Sequence, residues 1–181
     1  MIVEELQPFI NRNVYAKGKK NYVLRYVLKS DVDILLRLKK EQILETYDMG
    51  IAAENDMEIG DALKYYYWAY SLTALHPECF NILLPGKNGS QPVALDHLSG
   101  KIDNILKSIS CKVIDTTYYE GYKRAELKFA YKNNIIKNID FRFWNGAGWS
   151  EENCVNNEIG FVDLYPDRSI ADLKIEIIYN N

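Results

Sequence analysis

Apolar positions recur with a period near 3.6 from Asp31 to Ile109 and with a period of 2 from Cys111 onward. The pattern therefore predicts helices followed by strands. Ile34, Leu35, Leu38, Leu44, Tyr47 and Ile51 mark a first helix over about Asp31 to Glu54, with Ser30-Asp31 offering its N-cap. Asn55-Asp56-Met57-Glu58 breaks it. A second helix covers about Ile59 to Leu75, and Pro77 stops it. Its middle, Tyr65-Tyr66-Tyr67-Trp68-Ala69-Tyr70, has almost no polar face, so it is expected at the centre of the packing. Two long helices joined by a short polar link must lie antiparallel. Residues 78–93 contain Pro85-Gly86 and Asn88-Gly89 and read as a linker. Leu98, Ile102, Ile105, Leu106 and Ile109 then stripe a third helix over about Leu95 to Ile109.

The strands follow from alternation. Ala125, Leu127, Phe129 and Tyr131 alternate with Glu126, Lys128 and Ala130, and Ile139, Phe141 and Phe143 with Asp140 and Arg142. Leu173, Ile175, Ile177 and Tyr179 alternate with Lys174, Glu176 and Ile178. Further strands are expected over Lys112 to Tyr118 and Ile159 to Leu164, with Asn133-Asn134 as a tight turn. Near the N-terminus, Val14 to Ala16 and Tyr22 to Leu28 are β-prone and flank a turn, so they predict a hairpin. Two strands alone are marginal in water, so this hairpin is expected to pack on another element. The fold class is α+β: an N-terminal β-hairpin, a long antiparallel helical hairpin plus a third helix, and a C-terminal antiparallel β-sandwich of immunoglobulin or transthyretin type. The expected division is 1–110 for the hairpin and helices and 111–181 for the sandwich.

Gly50 and Ala53 in the first helix, and Ala62, Tyr66 and Ala69 in the second, sit at small, aromatic and small positions. This spacing resembles a single tetratricopeptide-type helical hairpin, without a second copy that could make a solenoid. More broadly, the Tyr-Tyr-Tyr-Trp-Ala helix ending in His76-Pro77 precedes a strand-rich tail holding Asn138 to Ser150 and Gly160 to Leu164. That order resembles a group of Bacteroidetes proteins of unassigned activity, described as lipoproteins, over roughly residues 15–179. The resemblance implies a binding or scaffolding role in the cell envelope and carries no catalytic residues with it.

Composition narrows the function classes. A net charge of −3 argues against non-specific nucleic-acid binding, and the basic run Lys17-Gly18-Lys19-Lys20 reads as a solvated turn. No apolar run is long enough for a membrane span. Met1 to Leu6 shows no export signal, so the expected location is cytoplasmic as the sequence stands, or the periplasm or cell envelope if it is a trimmed piece. Cys79, Cys111 and Cys154 are widely spaced and suggest neither a zinc site nor a disulfide framework. No cofactor is expected.

Three candidate sites remain. Trp144 and Trp149 flank Asn145-Gly146-Ala147-Gly148 and precede Glu151 and Glu152, an arrangement of aromatic faces and carboxylates that suits sugar rings. The alternative is that both Trp cap the β core. Tyr65, Tyr66, Tyr67 and Trp68 cannot all share one face, because adjacent helix residues point about 100° apart; Tyr66 is expected to face the first helix, so Tyr65, Tyr67 or Trp68 meets the third helix, the β region or a partner. Around His76 and His97, with Asp61, Cys79 and Asp96, a Cys79–His97 nucleophile pair or a metal cluster could be drawn, but neither has a motif, and the two His are expected apart and partly wet. The leading expectation is a non-enzymatic binding or scaffolding module with a protein partner. A carbohydrate-binding module built on Trp144 and Trp149 is the alternative, and a hydrolase stands third.

Overall fold

The computed structural model describes residues 7–17, 19–119, 122–150, 154–157, 161–166 and 173–179. The chain is α+β, with an N-terminal hairpin, three helices and antiparallel sheets. Its contacts divide it into two units, Met1–Gln42 and Ile43–Asn181.

In the first unit a short 3-10 turn, Gln7–Phe9, leads into strands β1 (Asn11–Lys17) and β2 (Lys20–Tyr26). The strands pair antiparallel from Asn11 opposite Tyr26 to Lys17 opposite Lys20. Tyr15 and Tyr22 face each other in that register, and their rings stack with centroids 5.2 Å apart. Helix α1 (Lys29–Asn55) begins here, its first turn closed by the Asp31 and Val32 amides on the Leu28 carbonyl. Every residue of both strands is exposed, and no described residue before Ile43 is buried. Ile34 and Leu38, read as core positions of the first helix, are also exposed.

The second unit holds the core. The later part of α1 buries Ile43, Thr46, Tyr47, Gly50 and Ala53, one face at helical spacing. The chain reverses at Met57, whose φ is +63°, and the Glu58 amide closes the turn on the Ala53 carbonyl. Helix α2 (Ile59–Ala74) follows, with Ala62, Leu63, Tyr66 and Ala69 fully buried. The small positions matter as expected: a Cβ added at Gly50 would stand 2.7 Å from the Tyr66 ring. After α2 the 78–93 segment is not a loose linker. It folds back on itself through the Leu84 amide on the Pro92 carbonyl and the Ala94 amide on the Ile82 carbonyl, and it buries Ile82 and Leu84. Helix α3 (Ala94–Ser108) buries Ala94, Leu98, Ile102 and Ile105.

Strand β3 (Ile109–Tyr119) starts directly at the end of α3 and pairs with β4 (Tyr122–Tyr131), with a register shift between Val113 and Asp115. Positive φ at Lys132 and Asn133 turns the chain into β5 (Asn134–Ile135), beside β4. β8 (Phe161–Leu164) also pairs with β4. A second sheet places β6 (Asp140–Phe143) between β7 (Cys154–Val155) and β9 (Ile175–Ile177). All these pairings are antiparallel, and neither sheet closes. The alternation read from sequence is the observed one: Ala125, Leu127, Phe129, Tyr131, Ile139 and Phe141 are buried. Phe129 of β4 and Phe141 of β6 touch, with ring centroids 4.9 Å apart, and one apolar cluster joins them to the residues of α1, α2 and α3. Asn156 is buried beside them. Its amide accepts from the Ile139 N–H and donates to the Ile136 carbonyl, both at 2.6 Å, which satisfies two backbone groups the sheets leave unpaired.

Candidate functional site

Four surfaces hold the chemistry of the described residues. The first is a polar cleft of about 840 Å³ in the second unit. Its floor is the α1 face carrying Tyr47, Ile51 and Glu54, its wall is the folded-back segment with Pro85, Gly86, Ser90 and Pro92, and α3 contributes His97 and Lys101. Glu54 is the hub. It accepts from Lys101 Nζ at 2.6 Å, from the Tyr66 hydroxyl at 3.0 Å and from the Tyr131 hydroxyl at 3.1 Å. Lys132 Nζ stands 3.8 Å away. Burial pushes the Glu54 carboxyl up, but the hydrogen bonds from Lys101, Tyr66 and Tyr131 and the Lys101 charge together bring it below the ordinary carboxylate range. The same burial, with the nearby Glu54 charge, pushes the Tyr66 and Tyr131 phenols up.

At the other end of the cleft the Tyr47 hydroxyl and His97 Nε2 lie 3.0 Å apart. Burial, helped by Lys101, lowers the His97 pKa, so the ring is neutral at pH 7. With its proton on Nδ1, Nε2 accepts from Tyr47. No sequence motif points to this cleft. Tyr47, Glu54, His97 and Lys101 line it, Tyr66 and Tyr131 bond to Glu54 from outside the lining, and only the fold brings these six together. Chemically it is a set of satisfied partners: Glu54 has three donors, and His97 has a phenol that burial keeps protonated.

The second surface is the Trp144–Trp149 loop. The two residues form an isolated antiparallel bridge, and both are half-buried. Their rings meet edge to face, centroids 5.9 Å apart at 78°, so they do not form one flat platform. Arg142 lies 5.1 Å over the Trp149 ring while its Nε bonds Glu176. Asn145 is exposed, and its Oδ1 accepts from the Ala147 and Gly148 amides, which stitches the loop to itself. Glu151 and Glu152 lie outside the described residues.

The third surface is the outer flank of α2. Tyr65 is half-buried against the core and meets Trp68 edge to face at 5.7 Å. Trp68 is 45% exposed. Tyr67 instead packs on Tyr179, next to β9, as an inward contact. His76 is not the partly wet residue the sequence suggests: it is buried, and its Nδ1 accepts from the Glu78 amide, capping the turn after α2. Among the described residues no group of three His, Cys, Asp or Glu could hold a metal ion, and no helix is long and apolar enough to cross a membrane.

The fourth surface was not singled out from the sequence. It is the ribbon of β1 and β2, on which Val14, Tyr15, Tyr22, Val23, Leu24 and Tyr26 are all exposed. The signal that could have found it is charge. Residues 7–29 hold six Lys or Arg and no Asp or Glu.

No family model matches the chain, and no curated protein and no solved structure is significantly similar to it.

Proposed function

We propose that this chain is a non-enzymatic binding or scaffolding module that works by protein contact, of the envelope-associated kind its resemblance implies. One observation carries the reading. A two-stranded ribbon displays six large apolar or aromatic side chains, and its unit has no buried residue among those described. A lone hairpin is marginal in water, and clustered exposed apolar side chains mark interaction surfaces. The polar cleft supports the same reading from the other side, because its carboxylate is saturated with donors rather than poised to take a proton.

We read the two C-terminal sheets as the halves of a sandwich-like body, on the strength of the Phe129–Phe141 contact between them, and Trp68 as a secondary contact point. The edge-to-face rings of Trp144 and Trp149, one already covered by Arg142, favour protein contact over a sugar platform.

The test is a photo-crosslinking residue placed at Tyr22, compared with one at Lys107 on the polar face of α3. Protein adducts at Tyr22 and none at Lys107 are expected. Equal labelling at both positions, or retention on a glycan array with no adduct, would refute the reading.

A further inference from the structure

Residues 7–29 carry six of the chain's 22 Lys and Arg and none of its 25 Asp and Glu; the remainder, with sixteen against 25, stands at −9. The register sharpens the asymmetry. Directly opposed residues share a face, so Asn11, Asn13, Tyr15 and Lys17 lie with Tyr26, Leu24, Tyr22 and Lys20, and Arg12 lies with Arg25 on the other face. Two cross-strand pairs are therefore like-charged, Arg12–Arg25 and Lys17–Lys20. Such pairs are destabilising when nothing neutralises them. The ribbon is exposed and residues 7–29 hold no carboxylate, so a negatively charged partner would relieve both faults.

The complementary surface is in the same sequence. From Ile43 to Leu63 there are six carboxylates and no Lys or Arg, and Glu45, Asp48, Asp56, Glu58 and Asp61 among them are exposed. We infer that the basic ribbon docks on the acidic α1–α2 elbow of a second copy of this chain, giving head-to-tail association. This rests on the protein-contact reading above and names its partner. A nucleic acid is the weaker fit, because the −9 remainder repels an extended polyanion. The ribbon is small: seven-residue strands span about 24 Å, and one face covers far less than the roughly 800 Å² per partner of a stable interface. Each contact is therefore weak and salt-sensitive. The surfaces on the two sides differ, so the interface is heterologous and extends into chains or rings.

The test uses the full chain in sedimentation velocity and a charge swap. The parent associates in about 0.1 M salt and dissociates in about 1 M, where the Debye length falls from about 10 Å to about 3 Å. Arg12→Glu/Arg25→Glu and Glu45→Lys/Asp48→Lys are each monomeric alone, and mixing the two restores association. Arg12→Gln/Arg25→Gln removes the like-charge repulsion, so it keeps the parent's circular dichroism while its association weakens about tenfold or more. A parent that stays monomeric at about 100 μM overturns the inference, as does association indifferent to the reversals or a mixture that remains monomeric. So does a monomer whose ribbon captures a single-stranded oligonucleotide. A monomer that still forms protein adducts at Tyr22 overturns the second-copy partner alone and leaves the protein-contact reading standing.

Discussion

Replacing Gly50 by alanine sets a methyl group against a ring that cannot easily leave. The new Cβ would lie 2.7 Å from Cδ1 and Cε1 of Tyr66 and 3.3 Å from Cγ. Carbon atoms in contact prefer about 3.5–4.0 Å, so roughly an ångström must be found. Tyr66 is fully buried, and its hydroxyl is tied to Glu54 at 3.0 Å. Overpacking of this kind costs about 1–3 kcal/mol. Against it stands the gain of about 1 kcal/mol from removing a glycine from a helix interior. The net expectation is a loss of about 1 kcal/mol, a fall of about 2–4 °C in melting temperature for a chain of this size. Gly100 in α3 is the internal standard, since a Cβ there meets nothing within 4 Å. Gly100→Ala keeps only the helix term, so it should gain about 1 kcal/mol and melt higher. Thermal and urea unfolding of both variants measure the difference. In a Tyr66→Phe background, where the ring is no longer tethered to Glu54, the cost of Gly50→Ala should shrink, a coupling a double-mutant cycle reads directly. If Gly50→Ala and Gly100→Ala shift stability equally, the close approach of α1 and α2 is not as described.

Gly60→Ala should cost more than Gly50→Ala, because its Cβ would stand 2.6 Å from the Asn138 carbonyl oxygen, which no rotamer change can move; equal midpoints in urea would contradict this. Asn156→Leu strands the Ile139 N–H and the Ile136 carbonyl in the core and should cost about 2–4 kcal/mol; a variant within 1 kcal/mol of the parent would mean water can reach these groups. His97 has a folded pKa below its ordinary 6.5, so its contribution to stability is full above that pH and is lost as pH falls through it toward the lowered value. Glu54 is depressed below 4.5 and acts the same way in the next window down. Urea midpoints against pH should show His97→Gln flattening the upper step and Glu54→Gln the lower one; unchanged profiles would refute the assignments.

Much of the fold was legible because period encodes faces. The bounds of α2 and α3, the buried stripe Ala125-Leu127-Phe129-Tyr131 and the small residues Gly50 and Ala62 all follow from local pattern. Which faces meet is not encoded locally. Nothing near Leu164 announces that it lies opposite Ala125, and nothing near Ile177 that it lies opposite Phe141. The cleft was invisible for that reason, since Glu54, His97 and Tyr131 are ordinary residues until the core is built. The Trp144 and Trp149 spacing marked an aromatic pair but not the 78° angle between its rings, which depends on side-chain torsions that spacing does not encode. The contacts divide the chain between Gln42 and Ile43, inside α1, where the helical period runs on without a break and only the charge pattern changes, from Arg37, Lys39 and Lys40 to the carboxylates that follow Ile43.

The saturation of Glu54 bears on where the chemistry of this molecule lies. A catalytic carboxylate needs a lone pair free for a substrate proton, and a pKa near the working pH. Glu54 has two phenols and a lysine on its oxygens and a pKa held low, so protonating either oxygen competes with a donor already there. Those donors come from α2, α3 and β4, and Glu54 itself stands one residue before the end of α1. One carboxylate thus ties the end of the first helix to three other elements, and removing it would leave Lys101 and two buried-side phenols without an acceptor. That is the role of a structural lock. The ribbon differs: its strands set Arg12 against Arg25 and Lys17 against Lys20, and its large apolar side chains are exposed.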